Sequence, residues 1–248
     1  MFTNKVNPPV GPSKESQQPR GRGRPPGVTV QGQEARRRLY ETAIELIGRQ
    51  GYDATTLRDV AEAAGVSVGL LYKYFPSKRA VVRAFYDELS EEYSVRASGM
   101  KAGKWRDRFI FALRTCLEVL GPYRRTLASL ATVLVTDPEE GVFAARNTPS
   151  RKRVEQVFHS AVAGATDAPA TQLADALGRL LYLLHLGVIL WWLLDKSSKQ
   201  RATHALVALL ERILPSFGIA LLLPQVRGFV RSADALVREA LLDEVSGS

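Results

Sequence analysis

Apolar residues recur at helical spacing along most of the chain, and no stretch alternates as a strand would. Between Glu34 and Gln50, Leu39, Ala43, Leu46 and Ile47 make one stripe, and Gly51 ends it. Leu57, Val60, Ala61 and Ala64 make a second, shorter stripe. Thr56 precedes it as an N-cap, and Asp59 three residues on completes a capping-box pair. Gly65 stands where this helix must end in a left-handed residue, which glycine adopts without a Cβ penalty. Ser67 then caps a third helix, Val68 to Phe75, with Leu71 pointing inward. Pro76 stops it, and Ser77 caps a fourth running from Lys78 to about Ala97. That helix carries an apolar face of Val81, Val82, Phe85 and Leu89. Two short helices around a glycine turn are a helix-turn-helix. Such a corner either reads DNA or merely turns the chain.

Beyond a break at Ser98 to Lys104, the pattern is helical throughout. Helices are expected over 105–120, 123–135, 139–146, 150–163 (capped by Ser150), 170–194 and 199–214, the last stopped by Pro215. A final amphipathic stretch, 225–245, sets Val226, Phe229, Val230, Ala233, Leu236, Val237, Ala240 and Leu241 on one side. The fold class is therefore all-α. A three-helix helix-turn-helix domain at the N-terminus precedes a larger C-terminal helical bundle, and the whole is homodimeric. The expected units are a basic arm (1–30), a helix-turn-helix domain (31–97) and a larger helical domain (98–248).

Leu180 to Leu194 is apolar all round, broken by His185 and Gly187. It is shorter than the roughly 20 residues of a membrane span, so it reads as a buried helix. Such a helix must be covered on every side. Trp191 and Trp192 project about 100° apart, so one wall does not hide both. A second subunit is the expected cover. Trp192 and, on the next helix, Ala202, Leu206, Leu209, Leu210 and Ile213 form the seam of a four-helix interface about a two-fold axis. The competing view is a monomeric helical core.

Charge adds a direction. The formal net charge is +9, and residues 1–38 hold eight basic against two acidic residues. A basic front end on a nearly neutral body points to a polyanion at one end. Residues 1–30, rich in Pro, Gly and Gln, have too few apolar groups to offset ordering and are expected to be disordered. Within them Arg22-Gly23-Arg24-Pro25 resembles an AT-hook, which lays arginines in a narrow A·T minor groove. The alternative is a solvated basic tail. Cys116 is the single cysteine, so no intramolecular disulfide forms. His159, His185 and His204 share no metal-ligand spacing, and no phosphate loop or nucleophile motif occurs. No metal, cofactor or catalytic site is expected.

Leu57-Arg58-Asp59-Val60-Ala61-Glu62-Ala63-Ala64-Gly65-Val66-Ser67, followed by Leu71-Tyr72-Lys73-Tyr74-Phe75-Pro76-Ser77-Lys78, resembles the DNA-binding domain of the TetR family of bacterial transcriptional regulators. The resemblance covers Arg36 to about Tyr86. It implies a recognition helix at Val68 to Phe75. Ser67, Val68, Gly69, Tyr72 and Lys73 would lie on its outer, groove side. Thr56, Tyr72, Tyr74 and Lys78 match positions that contact phosphates, and Arg58 matches one that reaches a base edge. For Tyr72 and Tyr74 the plain alternative is helix packing. Lys78 in the first turn of a helix opposes the macrodipole, and a nearby phosphate would relieve that. Val68-Gly69-Leu70 offers no polar side chain, so base readout would rest on Arg58 and Lys73, with apolar contact to thymine methyls.

The resemblance further implies a C-terminal half that dimerises and binds a small molecule. Candidate pocket residues are Phe109, Leu113, Cys116, Leu117, Leu130, Tyr182, His185 and Ile189, with ordinary core packing as the alternative for each. The expected function is a cytoplasmic, nucleoid-associated, sequence-specific regulator, not an enzyme. It would repress from a palindromic double-stranded operator and be released by an apolar ligand; no membrane takes part. The alternative is an architectural, weakly specific A·T-preferring DNA binder. A small-molecule enzyme or carrier on a helical scaffold is a third reading.

Overall fold

The computed structural model describes Met1 and residues 30–242. The arm, with Arg22 and Arg24, lies outside the described residues. Among those described there is no strand. Ten α-helices follow in order: α1 (Val30–Gln50), α2 (Leu57–Ala63), α3 (Val68–Tyr74), α4 (Lys78–Ala97), α5 (Trp105–Leu120), α6 (Arg124–Thr136), α7 (Thr148–Ala163), α8 (Thr171–Leu194), α9 (Arg201–Ala220) and α10 (Pro224–Val237).

The caps read from the sequence for α2, α3 and α4 are present. Thr56 Oγ1 accepts from Asp59 N at 3.1 Å, and Asp59 Oδ2 accepts from Thr56 N at 2.9 Å. Ser67 and Ser77 accept from the backbone N–H groups of Leu70 and Ala80. Gly65 takes φ +64°. The stripe on α1 and the small residues Ala61 and Ala64 close over Leu71, which is fully buried. Short helices gain little from their own hydrogen bonds; these two are held by caps and by this core.

Four expectations need correction. Residues 139–146 do not form an α-helix; only a 3-10 turn, Ala145–Asn147, overlaps the end of that span. Asp137 accepts from the N–H groups of Glu139 and Glu140, and the Asn147 amide donates to the carbonyls of Glu140 and Gly141. Side-chain bonds of this kind compete with the helical ladder. Ser150 lies inside α7 and donates to Asp87 Oδ1 at 2.8 Å instead of capping. Pro215 does not stop α9, which runs on to Ala220. Leu214 and Leu221 are buried on either side, and Phe217 packs edge-on against Trp105. That packing outweighs the cost of an interior proline. The terminal stretch breaks after Val237 into a wide π-type turn; of its predicted stripe only Val230 is buried, three residues are half-buried and four are exposed.

In the body α8 lies along α7, where a Cβ on Gly178 would come within 3.0 Å of His159 Cα. By length and hydropathy α8, at 24 residues, and residues 198–220 would each suffice to cross a membrane, so the length argument drawn from the sequence fails. Packing replaces it: α8 buries Leu177, Leu181, Tyr182, His185 and Val188 in the bundle, and Arg179 is paired with Asp234 of α10. The head meets the body where α1 crosses α6. Thr126 and Ser129 donate to the carbonyls of Ile44 and Ile47 at 3.3 and 3.2 Å, and a Cβ on Gly48 would stand 2.5 Å from Thr126 Oγ1.

Candidate nucleic-acid interface and ligand cavity

The outer side of α3 is open. Val68, Gly69, Tyr72 and Lys73 are exposed, Tyr72 by 53%, while Leu71 on the opposite side is at 0%. Thr56, Arg58 and Ser67 are exposed beside it. Thr56 and Ser67 use their oxygens as caps, which leaves each hydroxyl hydrogen available to an acceptor such as a phosphate. Arg58 and Lys73 have no ion pair among the described residues. An exposed α3 face with Tyr72 and Lys73, flanked by Arg58 of α2, has the size and charge to enter a major groove. Tyr74 departs from this group: it is half-buried and packs on the core, toward Arg36, Phe75 and Pro76.

Lys78 also departs. Its Nζ donates to the carbonyls of Tyr52 and Thr55, the latter at 3.0 Å, and sits 4.1 Å from the centre of the Tyr52 ring. The macrodipole penalty is thus relieved inside the protein, by the α1–α2 turn. Partial burial pushes the Lys78 ammonium below its ordinary pKa. Its nitrogen ties the start of α4 to the turn before α2 and is not directed outward.

The body holds an apolar cavity of about 100 Å³ between α4, α5, α6 and α8. Four candidates line it: Cys116, Tyr182, His185 and Ile189. Four do not. Phe109, Leu113 and Leu130 are fully buried packing residues, and Leu117 is half-buried against the same core. The missed wall is α4, which contributes Val82, Phe85, Tyr86, Leu89, Ser90 and Tyr93. Its aromatic residues fall along the stripe that was read only as packing. His185 Nε2 lies 3.1 Å from Cys116 Sγ. Burial lowers the imidazole to about 3 and pushes the thiol well above its ordinary range, so both are neutral.

The cavity is wired to the head. Leu134 and Val142 line it, and the loop between them carries Asp137, Glu139 and Glu140. Arg79, in the first turn of α4, pairs with Asp137 at 3.1 Å and with Glu139 at 2.8 Å. Arg83 lies 3.8 Å from the buried Glu140.

A second open face lies on α8 and α9. Leu184, Leu190, Trp191 and Leu194 of α8 are exposed, as are Leu209 and Ile213 of α9. Two seam candidates change. Trp192 is 3% exposed, under Arg124 and donating to Gln200, and Trp191 takes the outward place. Leu210 is buried with Val207 and Leu214 in the chain's own core. Ala202 and Leu206 are half-buried. An apolar groove runs between the helices, lined by Leu180, Leu184, Ile213 and Phe217.

Known proteins agree with this geometry. Residues 39–85 match the family model described as "Bacterial regulatory proteins, tetR family". The chain is 40% identical over 82 residues to the HTH-type transcriptional repressor KstR2 of Rhodococcus jostii, spanning 31% of this chain and 40% of that relative's length. It is 28% identical over 188 residues to the repressor KstR of the same organism, covering 73% of this chain and 83% of the relative. The fold is shared with the fatty acid degradation regulator FadR from Bacillus halodurans, at TM-score 0.56 and 17% identity, covering 72% and 93% of the two chains. It is also shared with a TetR transcriptional regulator from Nitrosomonas europaea, at TM-score 0.53 and 21% identity, covering 74% and 97%. The relatives named are repressors, and none of these likenesses supports an architectural role. Over residues 39–85 the chain carries the helix-turn-helix of the tetR family of bacterial regulatory proteins, and along most of its length it resembles regulators of that fold.

Proposed function

We propose that the protein is a cytoplasmic, homodimeric transcriptional repressor that leaves its operator when a small, largely apolar molecule enters the cavity. The observation that carries this reading is the open outer face of α3, with exposed Tyr72 and Lys73, on a helix buried and capped on its other side. Arg58 and Lys73 are the residues for base edges; Thr56, Ser67 and Tyr72 are those for phosphates. Two copies joined through α8 and α9 would present two such helices to successive major grooves. The relatives named as transcriptional repressors support the sign of regulation.

The release step follows from where the cavity lies. One wall is α4, whose first turn follows the recognition helix and holds Arg79. A ligand that binds better when α4 is displaced shifts the population toward a spacing that no longer fits the operator. The pairs of Arg79 and Arg83 with the 137–140 loop, and the crossing of α1 with α6 at Gly48, Thr126 and Ser129, are mechanical links to the head.

Selection of bound duplexes from random DNA tests the reading. The expected product is a palindrome with half-sites about one helical turn apart, about 34–36 Å. A featureless A·T-rich pool would overturn it. Running the selection with and without residues 1–30 shows whether the arm adds flanking A·T preference.

A further inference from the structure

We infer that the cavity takes an uncharged ligand, an apolar body bearing a hydroxyl or carbonyl oxygen, which binds to the hydroxyls of Tyr93 and Tyr182. The inference rests on the ligand-released reading above and narrows its ligand. Both tyrosines line the cavity, one from α4 and one from α8, and both are almost wholly enclosed, at 2% and 1% exposure. Tyr93 Oη has no hydrogen-bond partner among the described residues, and Tyr182 Oη faces only the neighbouring Tyr86 side chain, outside good hydrogen-bond geometry. An unpaired buried hydroxyl costs about 1–3 kcal/mol, so a molecule that supplies the missing partner recovers it. The His185 ring lies between the two, stacked on Tyr93 at 6.2 Å and 6.0 Å from Tyr182, so the aromatic wall holds both rings in place.

Charge sets the rest of the class. Among the described residues no Lys, Arg, Asp or Glu side chain lines the cavity. The guanidiniums that approach it are engaged: Arg153 donates to Asp87 at 2.9 Å and Arg151 lies 3.7 Å from Glu155. Burial keeps both phenols protonated. A carboxylate would therefore enter without a counter-ion and lose its hydration, and an ammonium would fare no better. A bare hydrocarbon would fill the space and leave both hydroxyls unpaired. An alcohol, ketone or aldehyde meets both conditions, because Tyr O–H donates to a carbonyl and both donates to and accepts from a hydroxyl.

The test uses the full chain without DNA, titrated calorimetrically with octane, octanol, octanone and octanoate. Octanol and octanone are expected to bind about tenfold tighter than octane, with octanoate weakest. Tyr93→Phe and Tyr182→Phe should each lower that preference by about three- to tenfold. Without ligand both variants should melt no lower than the parent, because phenylalanine fills the same space and removes an unpaired group. Octanoate binding as tightly as octanol, octane equalling octanol, or none of the four binding overturns the inference. Binding is read without DNA, so a protein that takes octanol yet selects no operator refutes the regulator reading alone.

Discussion

In the head, the hydroxyls that start each helix are satisfied within the chain: Thr56, Ser67 and Ser77 accept the N–H groups of Asp59, Leu70 and Ala80. In the body, the buried Tyr93 and Tyr182 hydroxyls lack a well-placed partner among the described residues, and seven large apolar residues on α8 and α9 lie open. The head is finished by its own sequence and needs only a DNA groove to meet. The body is left incomplete at two places, and each gap has the chemistry of what would fill it. An apolar face is covered by another apolar face, and an unpaired hydroxyl by a polar atom on a small molecule. A rigid reader attached to an unfinished core is what a ligand-sensitive regulator requires, because the ligand must act on an element with more than one arrangement.

The largest expected effect breaks the comparison at its open face. Leu190→Glu combined with Ile213→Glu places charges where the two helices are expected to meet a second copy. Truncating a central interface contact costs about 2–4 kcal/mol, and a buried unpaired charge adds to it. Sedimentation should show monomers, and operator affinity should fall by well over tenfold. Dimers of unchanged stability would move the interface elsewhere.

Next is the closed part of the body. Gly178→Ala pushes a methyl to 3.0 Å from the His159 backbone, where nothing rotates away. Overpacking of this kind costs about 1–3 kcal/mol, read as a lower denaturant midpoint with unchanged slope. His185 gives a pH effect in the same region. It is neutral in the fold, with its pKa lowered by burial to about 3, against about 6.5 when unfolded. Between these values the unfolded chain binds the extra proton. Stability is therefore fully present above about pH 6.5 and is lost as pH falls, at up to about 1.4 kcal/mol per pH unit. Replacing His185 with Phe should flatten that part of the profile; a slope that survives belongs to other groups.

The base-reading side of the head is probed by Arg58→Ala. It should relax preference at one position of each half-site by about 1–3 kcal/mol and leave the fold intact. A uniform loss across all sequences would make Arg58 a phosphate contact.

How much of this was legible in the sequence follows the same division. Caps, the glycine turn and the α4 stripe were readable because each is decided within a few residues: a hydroxyl three positions from an N–H, or a glycine at a positive φ. Trp191 and Trp192 were not, because periodicity says they diverge without saying which turns inward. Arg124 decides it, 68 positions away, by stacking on Trp192 and donating to its carbonyl. The cavity was half legible. Cys116, Tyr182 and His185 stood out as polar atoms in apolar helices. Tyr93 and Phe85 did not, because an aromatic on a helical stripe reads the same whether it lines a void or fills one. Pro215 misled because its local cost is outweighed by Trp105 and Phe217, contacts that no window on the sequence contains.

Lys78 gives the smallest effect and the sharpest distinction. The resemblance makes it a phosphate contact, whereas its nitrogen is held by the carbonyls of Tyr52 and Thr55 and by the Tyr52 ring. The two roles differ in their salt dependence. A lysine that neutralises a phosphate releases a counter-ion, and its loss lowers the slope of log affinity against log salt by about 0.9. A lysine that ties the α1–α2 turn to α4 contributes stability instead, on the order of 1 kcal/mol for its hydrogen bonds. Lys78→Met keeps most of the stem and removes the charge. The expected result is a small drop in melting temperature, a modest loss of operator affinity and an unchanged salt slope. A slope lower by nearly one at unchanged stability would return Lys78 to the DNA surface, and would mean that its ammonium leaves these carbonyls when the groove arrives.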